Sequence, residues 1–209
     1  KEKGITVVHV VSSSTFALKA QKAGVDAVVV EGFEAGGHNG REETTTFTLI
    51  PMVKEKIKIP LIAAGGIANG RGMLAAMVLG ADGVQVGSRF AASVESSAHE
   101  NFKKKILETK EGETQVTLKE LAPVRLIKNK FYQDVQDLYA KCPTKEELAT
   151  LLGRARAKHG MFEGDLDEGE LEIGQIAGLI HAIKPAAEII SEMITDYNLA
   201  RKEVEKFDF

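Results

Sequence analysis

The sequence predicts an α/β fold with a parallel sheet, and three observations carry that prediction. β-Branched runs alternate with helical patterns through roughly the first 90 residues. The connections between successive runs are long enough for helical crossovers. Glycine clusters fall at the C-terminal ends of the second, third and fourth runs, the edge at which parallel α/β folds bind ligands.

Each element follows from local pattern. Ile5 to Val11 is a β-branched run without helical period, hence a buried first strand. Ser12, Ser13 and Ser14 offer N-cap hydroxyls to a helix whose small and apolar positions are Phe16, Ala17, Ala20 and Ala23, stopped by Gly24. Ala27 to Val30 is the second strand, and Glu31 to Gly40 a long glycine-rich loop. A helix is expected from Thr46 to Ile57, with Pro51 in its first turn or at a kink. Pro60 to Ala64 is the third strand, about Arg71 to Leu79 a helix ended by Gly80, and Gly83 to Val86 the fourth strand. From about residue 98 helical patterns dominate. Thr144-Lys145-Glu146-Glu147 has capping-box spacing and starts a helix expected to reach about Lys158. Met161 to Gly169 reads as an acidic loop, and a final helix pair runs from about Gln175, interrupted near Pro185.

Composition narrows the classes. The chain has 209 residues and a net charge of −3, so no large basic field argues for nucleic acid, and Lys103-Lys104-Lys105 reads as a solvated helix face. With Cys142 the only cysteine, no internal disulfide forms, which fits a reducing compartment and an expected cytoplasmic location. No apolar run approaches the roughly 20 residues of a membrane span. The chain starts at Lys1 rather than Met and enters an apolar run at once; it is read as a fragment lacking its N-terminal part.

Two glycine turns carry the first chemical signal. Ala63-Ala64-Gly65-Gly66-Ile67 and Val86-Gly87-Ser88-Arg89 each place small residues between a strand and a helix, where backbone N–H groups and a positive dipole end can meet an anion. Tight βα turns alone would account for one such loop. Two adjacent ones favour phosphate, and their placement matches the turns after strands 7 and 8 of a TIM barrel, making these four strands the last four of eight. Neither turn is a Walker or G-x-G-x-x-G motif. His38, flanked by Gly36, Gly37 and Gly40 on the ligand-binding edge, is the candidate acid–base group, against the alternative of a surface-loop histidine. His9 reads as a core or lumen residue, and Glu34, Glu42 and Glu43 as solvating the loop. No Cys/His/Asp cluster has metal-ligand spacing.

Three of these stretches, read in order, carry a resemblance. Glu31 to His38, Ile59 to Ala68 and Gly83 to Phe90, with Gly174 to Ile180 as a fourth, are similar to the nitronate monooxygenase (2-nitropropane dioxygenase) family, which also contains FMN-dependent enoyl-acyl-carrier-protein reductase II. The resemblance implies a (β/α)8 TIM barrel of which 1–98 holds the last four strands, with 99–209 a mainly helical lid region. It implies non-covalent FMN, with His38 catalytic, Ala64, Gly65, Gly66, Gly87 and Ser88 near the phosphate, and Ala35, Gly36 and Gly37 against the flavin. Gln85 would reach the ring or ribityl chain, and Gln175 the lid side. A barrel needs about 250 residues, so a missing N-terminal half-barrel is implied, and a homodimer is compatible with the resemblance.

Two enzyme readings follow. In a nitronate monooxygenase, His38 takes the α-proton of a nitroalkane and O2 reoxidises the flavin. In the enoyl reductase, NAD(P)H reduces FMN and His38 protonates or stabilises an enolate. Gly174 to Ile180 and the histidine loop lean to the reductase; Gly70-Arg71-Gly72 and Gly87-Ser88-Arg89-Phe90 lean to the monooxygenase, which is preferred. A non-catalytic α/β binding module is the third reading, and flavin colour separates it from the other two.

Overall fold

A computed structural model of the chain describes residues 3–207; Lys1, on which the fragment reading rests, lies outside them. In chain order the elements are β1 (Val8–Val11), α1 (Ser14–Lys22), β2 (Ala27–Glu31), β3 (Gly37–His38), α2 (Thr46–Lys54), β4 (Leu61–Ala64), α3 (Gly70–Val78), β5 (Gly83–Gln85) and α4 (Ser88–Ala91). There follow α5 (Glu100–Glu108), β6 (Thr114–Thr117), β7 (Val124–Ile127), α6 (Lys130–Tyr139), α7 (Lys145–Leu152), α8 (Arg156–Met161), a 3-10 turn (Gln175–Leu179) and α9 (Ala186–Val204). These pack as two compact units interleaved in sequence. The first takes Lys1–Glu34, Glu42–Val86 and Ala187–Phe209, the second Ala35–Arg41 and Gly87–Ala186.

The first unit is the expected parallel sheet, with strand order β1-β2-β4-β5. β2 and β4 lie inside it with a neighbour on each edge, which is why Val28, Val29, Val30, Leu61 and Ala63 are buried, with Ile62 partly so. The first strand differs from its expectation. Val8 and Val10 are 46% and 48% exposed and His9 is exposed as well; among the described residues β1 pairs only with β2, at the edge of the sheet. Its β-branched residues record strand propensity, and they do not record burial. Ser13 caps α1 and Gly24, at φ +84°, ends it, as the pattern requires. Pro51 sits inside α2, well past its first turn. It removes the N–H that would meet the carbonyl of Phe47, whose side chain is largely exposed.

The second unit departs more. Where a mainly helical region was expected, β6 and β7 form an antiparallel sheet with β3 of the histidine loop. β7 is buried along its length and joins Leu118, Phe131, Val135 and Leu148 in a core. The capping box at Thr144 is present, but the helix it starts ends at Leu152. Gly153 and Ala155 both take positive φ, and the Arg156 guanidinium donates to the carbonyls of Leu151 and Leu152, closing the α7 C-terminus. Lys103 is only 2% exposed, so the lysine run is not a uniformly solvated face. Its Nζ donates to the carbonyl of Val94 and to Glu100.

Candidate active site

In the first unit the turn after β4 is held from beneath. Gly65 and Gly66 take φ +86° and +71°, and a Cβ on Gly65 would stand 2.7 Å from the carbonyl oxygen of Gly32. Only glycine fits there. The Thr46 hydroxyl lies 2.9 Å from both the Gly65 carbonyl and Glu34 Oε2, and the Glu34 carboxylate accepts from the Thr46 N–H. Glu34 therefore does not merely solvate the loop: its carboxylate accepts at the N-terminus of α2. The next helix start is also taken. Asn69 accepts from the Gly72 N–H, and Asp196 of α9 from the Arg71 N–H. The dipole ends of α2 and α3 are thus complemented by the protein's own side chains, and what the Gly65-Gly66 turn offers an anion is its exposed backbone. Ala64 is buried beneath it, and Gln85 is exposed at the end of β5.

In the second unit the histidine loop is pinned as a strand. Gly37 pairs with Arg125 and His38 with Val124 on β7, and Asn39 anchors the loop through the carbonyls of Ala35, Gly37 and Pro123. Asn39 donates its side-chain amide to the first two and its backbone N–H to the third. The segment Leu171–Glu172 continues along the same strand: Glu172 bridges Leu126, and the Ile127 N–H donates to Leu171. This close approach explains two of the glycines. A Cβ on Gly36 would fall 2.4 Å from the backbone of Ile173 and Gly174, and one on Gly37 would fall 2.6 Å from Glu172 Oε2. At both positions the chain itself passes where a side chain would stand. Ala35 is buried. Gly87 lies open, with nothing within 4 Å of a Cβ, at the start of the four-residue α4. The Ser88 hydroxyl accepts from the Gly174 N–H at 3.0 Å, and the neighbouring Gln175 is exposed.

His38 lines a cavity of about 640 Å3 together with Glu170, Glu172, Lys145 and Arg156, walled by apolar residues such as Leu118 and Val124. Glu170 is 8% exposed. Burial first, and then the nearby Glu172 charge, push its carboxyl up to about 7, against the pull of Arg156. Burial raises Glu172 as well, and attraction to His38 offsets part of that rise. The Arg156 head is otherwise engaged, stacked 4.5 Å over Phe131 and bonded to the Glu168 carbonyl. Sequence reasoning missed both acids. The signal was present, because Glu170-Leu171-Glu172-Ile173 alternates with a strand's period of two and puts both carboxyls on one face. Among the described residues no group of three His, Cys, Asp or Glu could hold a metal, and no helix is long and apolar enough to cross a membrane.

Comparison with known proteins gives the family. The family model for nitronate monooxygenase matches residues 1–196. A probable nitronate monooxygenase of Staphylococcus aureus (strain MSSA476) is 35% identical over 95% of this chain. The structure of FabK from Thermotoga maritima superposes with a TM-score of 0.92 at 40% identity, covering 98% of this chain and 64% of that one. A nitroalkane oxidase from Streptomyces ansochromogenes gives 0.80 at 28% identity, covering 97% of this chain and 60% of that one. The chain spans 58% of the length of the Staphylococcus relative.

Proposed function

The chain belongs to the nitronate monooxygenase family, and on that premise we propose that it supplies the catalytic histidine and part of the flavin site of an FMN-dependent nitronate monooxygenase that oxidises nitroalkanes or alkyl nitronates with O2. The observation that carries the reading is His38, fixed on a strand at a cavity with a carboxyl behind it. An imidazole there can take a carbon-bound proton, and the Glu172 charge stabilises the imidazolium that results.

The residues fit a flavin phosphate in kind. The Gly65-Gly66 turn has a left-handed backbone, with the Glu34 side chain in van der Waals contact at Gly66, and Gly87 has open space where a side chain would stand. In the first unit the proposal assigns Ala64, Gly65, Gly66 and Gln85 to the cofactor; in the second it assigns Ala35, Gly36, Gly37, Gly87, Ser88 and Gln175. FMN when bound would accept the substrate's electrons and return them to oxygen. The division into a half-barrel (1–98) and a lid (99–209), the remaining half of an eight-stranded barrel, and a cytoplasmic location belong to the same proposal.

The enoyl reductase is the second reading. It draws on Gly174 to Ile180, and the likeness to FabK exceeds that to the nitroalkane oxidase. The test is anaerobic flavin reduction in the intact protein by a nitronate, NADH and NADPH in turn. Fast reduction by nitronate and slow reduction by both nucleotides is expected. The reverse order assigns the reductase, with NAD(P)H as reductant, and a protein that takes up no flavin assigns the binding module.

A further inference from the structure

We propose that α7 is a movable wall of the His38 cavity, which swings at its N-terminal end to close over a bound substrate while Arg156 holds its C-terminal end. The proposal rests on the reading of that cavity as the substrate site and adds the segment that governs access to it.

Lys145, Glu146, Ala149 and Leu152 of α7 all line the cavity. They stand at positions i, i+1, i+4 and i+7, which fall on one face of a helix. The turn that follows adds Gly153, Ala155 and Arg156 to the lining. His38, on the paired strand β3, is exposed, so the cavity is open in this state.

Little ties α7 to the rest of its unit. Leu148 is its one buried residue, seated in the core with Leu118, Phe131 and Val135, while Leu151 and Leu152 at the C-terminal end pack partly against that core. Its other hydrogen bonds are its own. Thr144 and Glu147 close the capping box, the Thr150 hydroxyl donates to the Glu146 carbonyl, and the Gly153 N–H donates to the Ala149 carbonyl. Among the described residues, the bonds that reach 144–152 from outside come from one side chain. The Arg156 Nε donates to the carbonyls of Leu151 and Leu152 at 3.0 and 2.8 Å. Arg156 is itself fixed, stacked over Phe131 and bonded to the Glu168 carbonyl. The C-terminal end of α7 is therefore held, and the end that carries Lys145 and Glu146 has no such tether.

The backbone at both ends suits a hinge. Cys142 takes φ +54° two residues before the N-cap Thr144, and Gly153 and Ala155 take φ +63° and +60° after the last turn. Gly153 combines its φ with ψ −148°, a region open essentially to glycine alone. Left-handed positions with a Cβ are sparsely populated, and they cluster at clamps and switch regions. A few such residues at an element's ends are what absorbs the backbone change of a closing segment. A helix anchored by one buried side chain also opens at a lower free energy than the core beneath it. Closure has a use here, because it would exclude water from an imidazole that is otherwise exposed.

The experiment is amide hydrogen exchange on the intact protein, free and with 1-nitrohexane, for wild type, Arg156→Gln and Ala149→Phe. In wild type the amides of α7 should exchange well before those of α6, which packs on the same core, and 1-nitrohexane should slow them. Arg156→Gln should raise α7 exchange about 10-fold or more, as the loss of charge-assisted hydrogen bonds requires, with α6 unchanged. Ala149→Phe, at an exposed position facing the cavity, should abolish the slowing by 1-nitrohexane. Exchange of α7 in step with α6 in wild type, or equal loosening of both helices by Arg156→Gln, would overturn the movable wall. Slowing that survives Ala149→Phe would put the ligand away from α7 and overturn the closure. None of these readouts needs turnover. Separate opening of α7 with no slowing by 1-nitrohexane would sink the nitroalkane reading of the cavity and leave the movable wall standing.

Discussion

The two units use glycine and charge in opposite ways. In the first, the Gly65-Gly66 turn is shaped by backbone alone, and the charges around it are satisfied: Glu34 on the α2 N-terminus, Asp196 on that of α3. In the second, the glycines at 36 and 37 admit other parts of the chain, and the chemistry rests with side chains that line one cavity, His38 with Glu170 and Glu172. The contrast teaches that a glycine cluster is no single signal. One marks a turn whose backbone is offered outward; the other marks a crossing of strands that brings reactive groups together.

The largest expected effect tests the second half of the contrast. His38→Asn keeps size and hydrogen bonding but cannot accept the proton, so turnover of neutral nitroalkane should fall by about 10²–10⁴-fold, or roughly 3–5 kcal/mol of barrier. Turnover of pre-formed nitronate should be largely spared. Steady-state oxidation of both forms checks this, and equal losses would make His38 a binding residue.

Glycine replacements sharpen the comparison next. Gly36→Ala drives a methyl into the backbone of 173–174, and Gly70→Ala drives one to 2.1 Å from Met193 O and Tyr197 N of α9. Each should cost about 1–3 kcal/mol as overpacking. Hydrogen exchange should show the second unit loosening in the former and the first unit in the latter. Loosening of the same unit in both would mean that the units are not independently packed.

Gly87→Glu meets open space, so it should leave the melting temperature nearly unchanged. It should lower flavin affinity about 10-fold or more by placing a like charge beside a phosphate. Unchanged flavin content after purification would remove Gly87 from the cofactor site.

The smallest effect is the pH dependence of stability. Glu170 titrates near 7 in the fold, above its ordinary carboxylate value, so between those values the folded state holds more protons than the unfolded one. Stability contributed by the protonated form is complete below the ordinary value and is lost as pH rises through about 7. Glu170→Gln should remove that loss. The variant should gain on wild type by on the order of 1 kcal/mol between pH 5 and pH 8, discounted for cavity water. Denaturant midpoints across that range decide it; a constant difference would place Glu170 in contact with solvent.

What the sequence determined by itself is the part of the molecule governed by neighbours along the chain. Period and propensity locate β2, β4 and the helices of the parallel sheet; Ser13, Gly24 and Gly80 mark the ends of those helices and Thr144 the start of α7; and the histidine loop is visible as a glycine run at a strand end. Tertiary structure decided the rest, because pairing between distant segments leaves no local period. The antiparallel sheet needs β3 to meet β7 across some 86 residues of chain. A two-residue strand has too few side chains to announce itself, and only that pairing turns a loop histidine into a fixed one. The exposure of β1, the burial of Lys103 and the placement of Glu170 and Glu172 in the cavity of His38 follow from the same cause: propensity states what backbone a residue favours, while packing against distant segments decides which face is covered.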